Sequence, residues 1–137
     1  MRYNTNTMND KALAGIKMVW VEDDKFLANM VGKRMTETGA ELVQVVDGAK
    51  AFDVVKATQP QVVVLDLLMP NVDGFEILRK IKSNEDTKHI PVIVLSNLGQ
   101  KSEVDRAKEL GAEKFIIKAT VGLDQIVPEI VHALKKN

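Results

Sequence analysis

Cysteine is absent from these 137 residues, which excludes disulfides and thiolate metal sites and fits a reducing cytosol; a cytoplasmic location is the expectation. An excess charge of either sign is also absent. Nineteen basic residues balance 19 acidic ones, so nothing in the overall charge directs the chain to nucleic acid or to an anionic membrane, and binding to either is not expected. Nor is there a long apolar run. No stretch approaches the ~20 apolar residues of a membrane span, and the opening MRYNTNTMNDKALAGIK lacks the apolar core of a signal peptide. Internal repeats and low-complexity segments are missing too. What is present is a hydrophobic content of 45%, enough for one compact domain in a chain too short for two. Residues 1–14 begin polar and Asn/Thr-rich and are expected to form a flexible N-terminal tail ahead of a domain over 15–137.

Short runs rich in β-branched residues alternate with segments of helical period, the pattern of an α/β fold with a parallel sheet. Strands are expected at Lys17 to Val21, Glu41 to Val46, Gln61 to Leu65, Pro91 to Leu95 and Lys114 to Ile117. The runs at Val62 to Leu65 and Val92 to Leu95 are apolar throughout, as suits central strands covered on both faces, while ELVQVV admits Gln44 and suits an edge. Between the strands the apolar spacing changes to three and four. Leu27, Met30, Val31 and Met35 mark a first helix that Gly39 stops; Ala51, Val54 and Val55 a second; Gly74, Ile77, Leu78 and Ile81 a third. Ser102 followed by Asp105 resembles a capping box opening a fourth helix, and Leu123 to Leu134 carries the clearest stripe, with Pro128 limiting where it begins or kinking it. Five β-α units of this kind wind into a flavodoxin-like, doubly wound (βα)5 domain with a five-stranded parallel sheet in the order 2-1-3-4-5.

In such a sheet the ligand site lies beyond the carboxyl ends of the strands, where the strand order reverses. The first strand ends in Glu22, Asp23 and Asp24, and the third runs VVVLD into Asp66. With strands one and three adjacent, Glu22, Asp23 and Asp66 converge, and carboxylates so close repel unless a cation neutralises them. Magnesium fits best, because it prefers oxygen ligands and commonly sits on one or two carboxylates plus a phosphate; no calcium-binding loop is present. Ser96 closes VIVLS and Lys118 closes FIIK, so a hydroxyl and an ammonium face the same crevice. These are the parts of phosphoryl transfer, and a carboxylate such as Asp66 can accept the group as an aspartyl phosphate. Taken singly, each residue has an ordinary explanation: a turn or cap for Asp66, a helix N-terminus for the acidic triplet, a turn former for Ser96, a solvated strand end for Lys118. Their joint placement at four strand ends favours the functional reading. His89, His132 and Trp20 show no such pattern, and Trp20 reads as a packed strand residue.

VEDD, VVVLDLLMPNVDG, VIVLS and FIIK, in this order, closely resemble the receiver domain of two-component response regulators over about residues 15 to 136. Ser96 follows Asp66 by 30 residues and Lys118 follows Ser96 by 22, the usual receiver spacing. The resemblance implies that Asp66 is the phosphoacceptor, with Ser96 and Lys118 as its catalytic partners on the phosphoryl oxygens. It implies a Mg2+ site of Asp23, Asp66, the backbone carbonyl of Leu68 and, mainly through water, Glu22. Ser96 and Phe115 would form the switch, moving the face made by the fourth helix, fifth strand and fifth helix. The implied donor is a histidine kinase or phosphotransfer protein, the implied output an unidentified downstream protein or a phosphorylation-dependent homodimer, and no separate substrate is turned over.

Two departures stand out. Ala119 follows Lys118 where receivers usually carry a cis proline, and a non-proline cis bond is costly. The positions two past Asp66 and two past Ser96, which tune phosphoryl lifetime in the family, are Leu68 and Leu98; both are expected to exclude attacking water and slow autodephosphorylation. Leu68 also argues against a haloacid-dehalogenase type phosphohydrolase, which needs an acid there. A flavodoxin-like cofactor binder would want a glycine-rich phosphate loop where Glu22 to Asp24 stand, and a degenerate receiver acting by contact alone would not need all five site groups.

Overall fold

The computed structural model describes residues 12–97, 99–118 and 121–136. The elements are β1 (Lys17–Val21), α1 (Lys25–Glu37), β2 (Glu41–Val45), a 3₁₀ turn (Gly48–Lys50), α2 (Ala51–Thr58), β3 (Val62–Asp66), β4 (Leu68–Met69), β5 (Val72–Asp73), α3 (Gly74–Ser83), β6 (Val92–Ser96), α4 (Lys101–Glu109), β7 (Lys114–Ile117) and α5 (Leu123–Lys136). Five strands form one sheet in the order β2-β1-β3-β6-β7, every pair parallel. This is the expected 2-1-3-4-5 order, renumbered because a small antiparallel hairpin, β4-β5, intervenes. No described helix is long and apolar enough to cross a membrane.

Strand pleating divides the core in two, since successive side chains point to opposite faces. Val19, Val21, Val63, Leu65, Val92 and Val94 pack beneath α2, α3 and α4. Met18, Trp20, Val62, Val64, Ile93 and Leu95 pack beneath α1 and α5. Both central strands, β3 and β6, are buried at every position, as their unbroken apolar sequences predict. Residues 1–11 of the expected tail lie outside the described residues, and Leu13, near the tail's expected end, is fully buried in the core beneath α1 and α5 and donates its backbone N–H to Thr38 O at 3.0 Å.

Several boundaries differ from the sequence reading. β3 and β6 each run one residue later than expected, so Asp66 and Ser96 are the last residues of their strands and not the first of a loop. β2 stops at Val45, and Val46 is exposed. On α1 the core face is Ala28, Val31 and Met35, and Met30 faces solvent; periodicity alone gives large Met30 the place that small Ala28 takes. The capping box at Ser102 does not form. Gln100 is the extended residue that precedes α4, and Asp105 pairs with Lys101 one turn earlier at 2.6 Å. Pro128 lies inside α5, five residues past its start at Leu123.

The hairpin explains the stretch MPNVDG. Pro70 fixes its own φ, Asn71 takes φ 66, and Asp73 caps α3 by accepting from Phe75 N at 2.9 Å. Gly74 then packs directly on the end of β3: a Cβ there would stand 2.6 Å from Leu67 Cα and 2.7 Å from its carbonyl oxygen. Gly74→Ala is expected to lower stability by about 1–3 kcal/mol, the cost of overpacking against backbone, as read by urea denaturation.

Candidate functional site

β1 and β3 pair in register from Met18↔Val62 to Val21↔Leu65, which brings the residues after β1 beside the last residue of β3. Glu22 extends β1 by donating its N–H to Val45 O at 2.9 Å, and Leu67 extends β3 toward Leu95 O at 2.9 Å. Both carboxylates are therefore held by sheet hydrogen bonding. Asp24 starts α1 by accepting from Leu27 N at 3.1 Å, and its own N–H donates to Glu22 Oε2 at 3.2 Å. Asp66 Oδ1 accepts from Leu68 N at 3.0 Å, which fixes the carboxylate against the turn that follows.

Glu22, Asp23 and Asp66 each offer an oxygen within 4.8 Å of the others. Asp66 is only 3% exposed and Glu22 2%, so the phosphoacceptor candidate is enclosed. Lys118 spans the two buried acids: its Nζ donates to Glu22 Oε1 and to Asp66 Oδ2, both at 3.1 Å. Burial, and next the Asp66 carboxylate, push the Glu22 carboxyl from 4.5 up to about 7, although Lys118 opposes the rise. Burial pulls the Lys118 ammonium down, but Asp66 and Glu22 together outweigh it and hold that group above its ordinary value. Two buried carboxylates and Asp23 against one ammonium leave the cluster short of positive charge. A hard divalent cation meets that demand, and the all-oxygen donor set suits Mg2+.

The remaining expected residues are placed as follows. Ser96 is fully buried at the end of β6, next to the strand that carries Asp66, with Asp66 paired to Leu95. Leu68 follows Asp66 by two residues on the short β4, its side chain 42% exposed. Phe115 lies on β7 opposite Val94, half-buried, in a groove with Val104, Lys108 and Ile117. Leu98 and Ala119, and with Ala119 the Lys118–Ala119 bond, lie outside the described residues. Sequence reading did not find Gly74, whose close approach to Leu67 steadies the strand end; a glycine directly after a capping aspartate was its only signal. It also missed Gln44, whose amide donates to Ala28 O at 2.6 Å and ties α1 to β2.

The sequence profile of the response regulator receiver domain matches residues 18–130. The chain belongs to this family, whose members are phosphorylation-dependent switches of two-component signalling. Among curated proteins it is 30% identical over 102 residues to the DNA-binding dual master transcriptional regulator RpaA of Synechocystis sp., covering 74% of this chain and 42% of that protein. The chain thus spans about two-fifths of the length of the first curated relatives it matches. Among solved structures, the Mn2+-bound form of response regulator Rcp1 is 28% identical with TM-score 0.73, covering 84% of this chain and 91% of that one. The phosphorylated cyanobacterial phytochrome response regulator RcpA is 29% identical with TM-score 0.70, covering 90% and 93%.

The Glu22 carboxyl carries a testable pH signature. Its raised value means that the folded chain holds a proton between about pH 4.5 and 7 that the unfolded chain has released, so stability falls as pH rises through that window. In chelator, the melting temperature is expected to be lower at pH 8 than at pH 5 from this group, and Glu22→Gln to flatten that part of the profile.

Proposed function

We propose that Asp66 accepts a phosphoryl group from a histidine kinase or phosphotransfer protein, with Mg2+ held by Glu22, Asp23, Asp66 and the Leu68 carbonyl. The observation that carries this reading is the shared Lys118 ammonium, 3.1 Å from both Asp66 and Glu22, on a buried carboxylate at the switch point of the sheet. Asp66 is fixed through Oδ1 by Leu68 N, so its other oxygen, now on Lys118, is the one positioned to attack. As that oxygen bonds to phosphorus, the P–N bond of the donor phosphohistidine breaks and its electron pair stays on the imidazole; the carboxylate loses its charge, and Lys118 is free to follow the negative charge onto the phosphoryl oxygens. Bound Mg2+ supplies charge neutralisation for the transferred group. Two solved relatives, one Mn2+-bound and one phosphorylated, support a metal and a phosphoryl group at such a site.

Phosphorylation brings nearly two negative charges next to Ser96, on the strand beside β7. Ser96 turning toward them leaves room that Phe115 fills, and the face of α4, β7 and α5 changes its affinity for a downstream protein or a second copy. Phe115 has no hydroxyl, so its burial signals the state by packing alone. The chain acts as a cytoplasmic switch that turns over no separate substrate. The receiver domain takes in residues 15–137, and Leu13, just ahead of it, is packed into its core.

Two measurements test the reading. Incubation with acetyl phosphate and Mg2+ is expected to add one phosphoryl group, mapped to Asp66 by mass spectrometry after borohydride reduction, and to add none to Asp66→Asn; an unmodified Asp66 in folded protein overturns it. Replacing Leu68 and Leu98 together by asparagine is expected to shorten the phosphoryl half-life by about tenfold or more, because a polar pair can orient a water for attack. An unchanged half-life contradicts the shielding role.

A further inference from the structure

Lys118 has a second neighbourhood. Its Nζ is committed to the two carboxylates, yet the residue also walls a cavity of about 240 Å³ that lies between α1 and α5. The rest of the wall is apolar: Trp20, Leu27, Val31, Leu95, Leu123 and Ile126. An apolar cavity of ~150 Å³ is already large enough to take up benzene from water, so this one has room for a substituted ring. One of these wall residues carries an unsatisfied polar group. Trp20 is 1% exposed, and its indole Nε1–H is buried without an acceptor. Buried N–H groups are seldom left unpaired, because each one forgoes a hydrogen bond that it makes freely in the unfolded chain.

We propose that this cavity binds a small, neutral molecule of aromatic size that carries one hydrogen-bond acceptor, which the Trp20 N–H engages. Size follows from the volume and apolar character from the wall. Neutrality follows from Lys118: its ammonium is spent on Glu22 and Asp66, and no other charged side chain lines the cavity among the described residues, so an ionised ligand would be desolvated without compensation. The acceptor follows from the orphaned donor. Nε1 is closed to solvent in the present conformation, so engagement requires the indole to turn toward the cavity, a movement that breaks no hydrogen bond of Nε1. None of this depends on whether Asp66 accepts a phosphoryl group.

The test uses the full chain without Mg2+ or phosphodonor, and two probes of the same shape, acetophenone with a carbonyl acceptor and isopropylbenzene with none. Trp20 is the only tryptophan, so its indole N–H gives a single resonance in a proton–nitrogen correlation spectrum. Acetophenone is expected to shift that resonance downfield in a saturable titration, with nuclear Overhauser contacts from the ring to the methyls of Val31 and Ile126. Isopropylbenzene is expected to bind the same place about tenfold more weakly, the difference one hydrogen bond makes. An unmoved indole resonance up to the solubility of acetophenone, contacts mapping to another surface, or equal affinity for the two probes overturns the proposal. Any of these outcomes leaves the phosphorylation of Asp66 to be judged by its own mass measurement.

Discussion

One ammonium shared between two buried carboxylates governs this molecule. Glu22 and Asp66 are almost fully enclosed, with Lys118 between them at 3.1 Å from each. Three acids face one base, and burial first, then the Asp66 carboxylate, raises the Glu22 carboxyl to about 7. A cluster in that condition has two ways to reach neutrality, uptake of a proton or uptake of a cation. The proposed function uses the second, and the raised Glu22 carboxyl shows the scaffold's demand for one or the other.

The scaffold earns that demand by rigidity. Asp66 ends a strand buried at every position, its neighbours Glu22 and Leu67 extend the sheet hydrogen bonding past the strand ends, and Gly74 presses α3 onto the backbone just beyond. Carboxylates on a flexible loop would relax apart and hydrate. Here they cannot, and so the electrostatic tension stays available for chemistry. The Asp24 cap adds to this by turning the chain into α1 directly after the acidic pair, which leaves Glu22 Oε2 a backbone N–H to accept from.

Much of this was legible in the sequence, because the determinants are local and one-dimensional. Continuous apolar runs marked the central strands, and the residue closing each run named the site: Asp66 and Ser96 directly, Lys118 one position past its strand. The strand order, which no single segment encodes, came from the rule for open parallel sheets and proved right because β1 does pair with both β2 and β3. Failures fell where a choice depends on tertiary contact. Met30 and Ala28 are equally placed by helical period, and only packing decided for the smaller residue. Ser102 had the spacing of a cap, but the chain enters α4 two residues earlier than such a cap implies, with Gln100 in the cap position and Lys101 first in the helix. The depth of Asp66 is not legible either, because nothing in VVVLD tells that Lys118, 52 residues on, lies against its carboxylate.

The bridge from Lys118 to Glu22 joins residues 96 positions apart in sequence, and the one to Asp66 joins residues 52 apart. Closing segments of that length costs more chain entropy than a local contact does, so the bridge exists only in a chain whose last strand has docked at the sheet edge. A chain that ends at β6 therefore carries Glu22 and Asp66 without the ammonium that joins them. The cluster is a property of the whole fold and of no fragment of it.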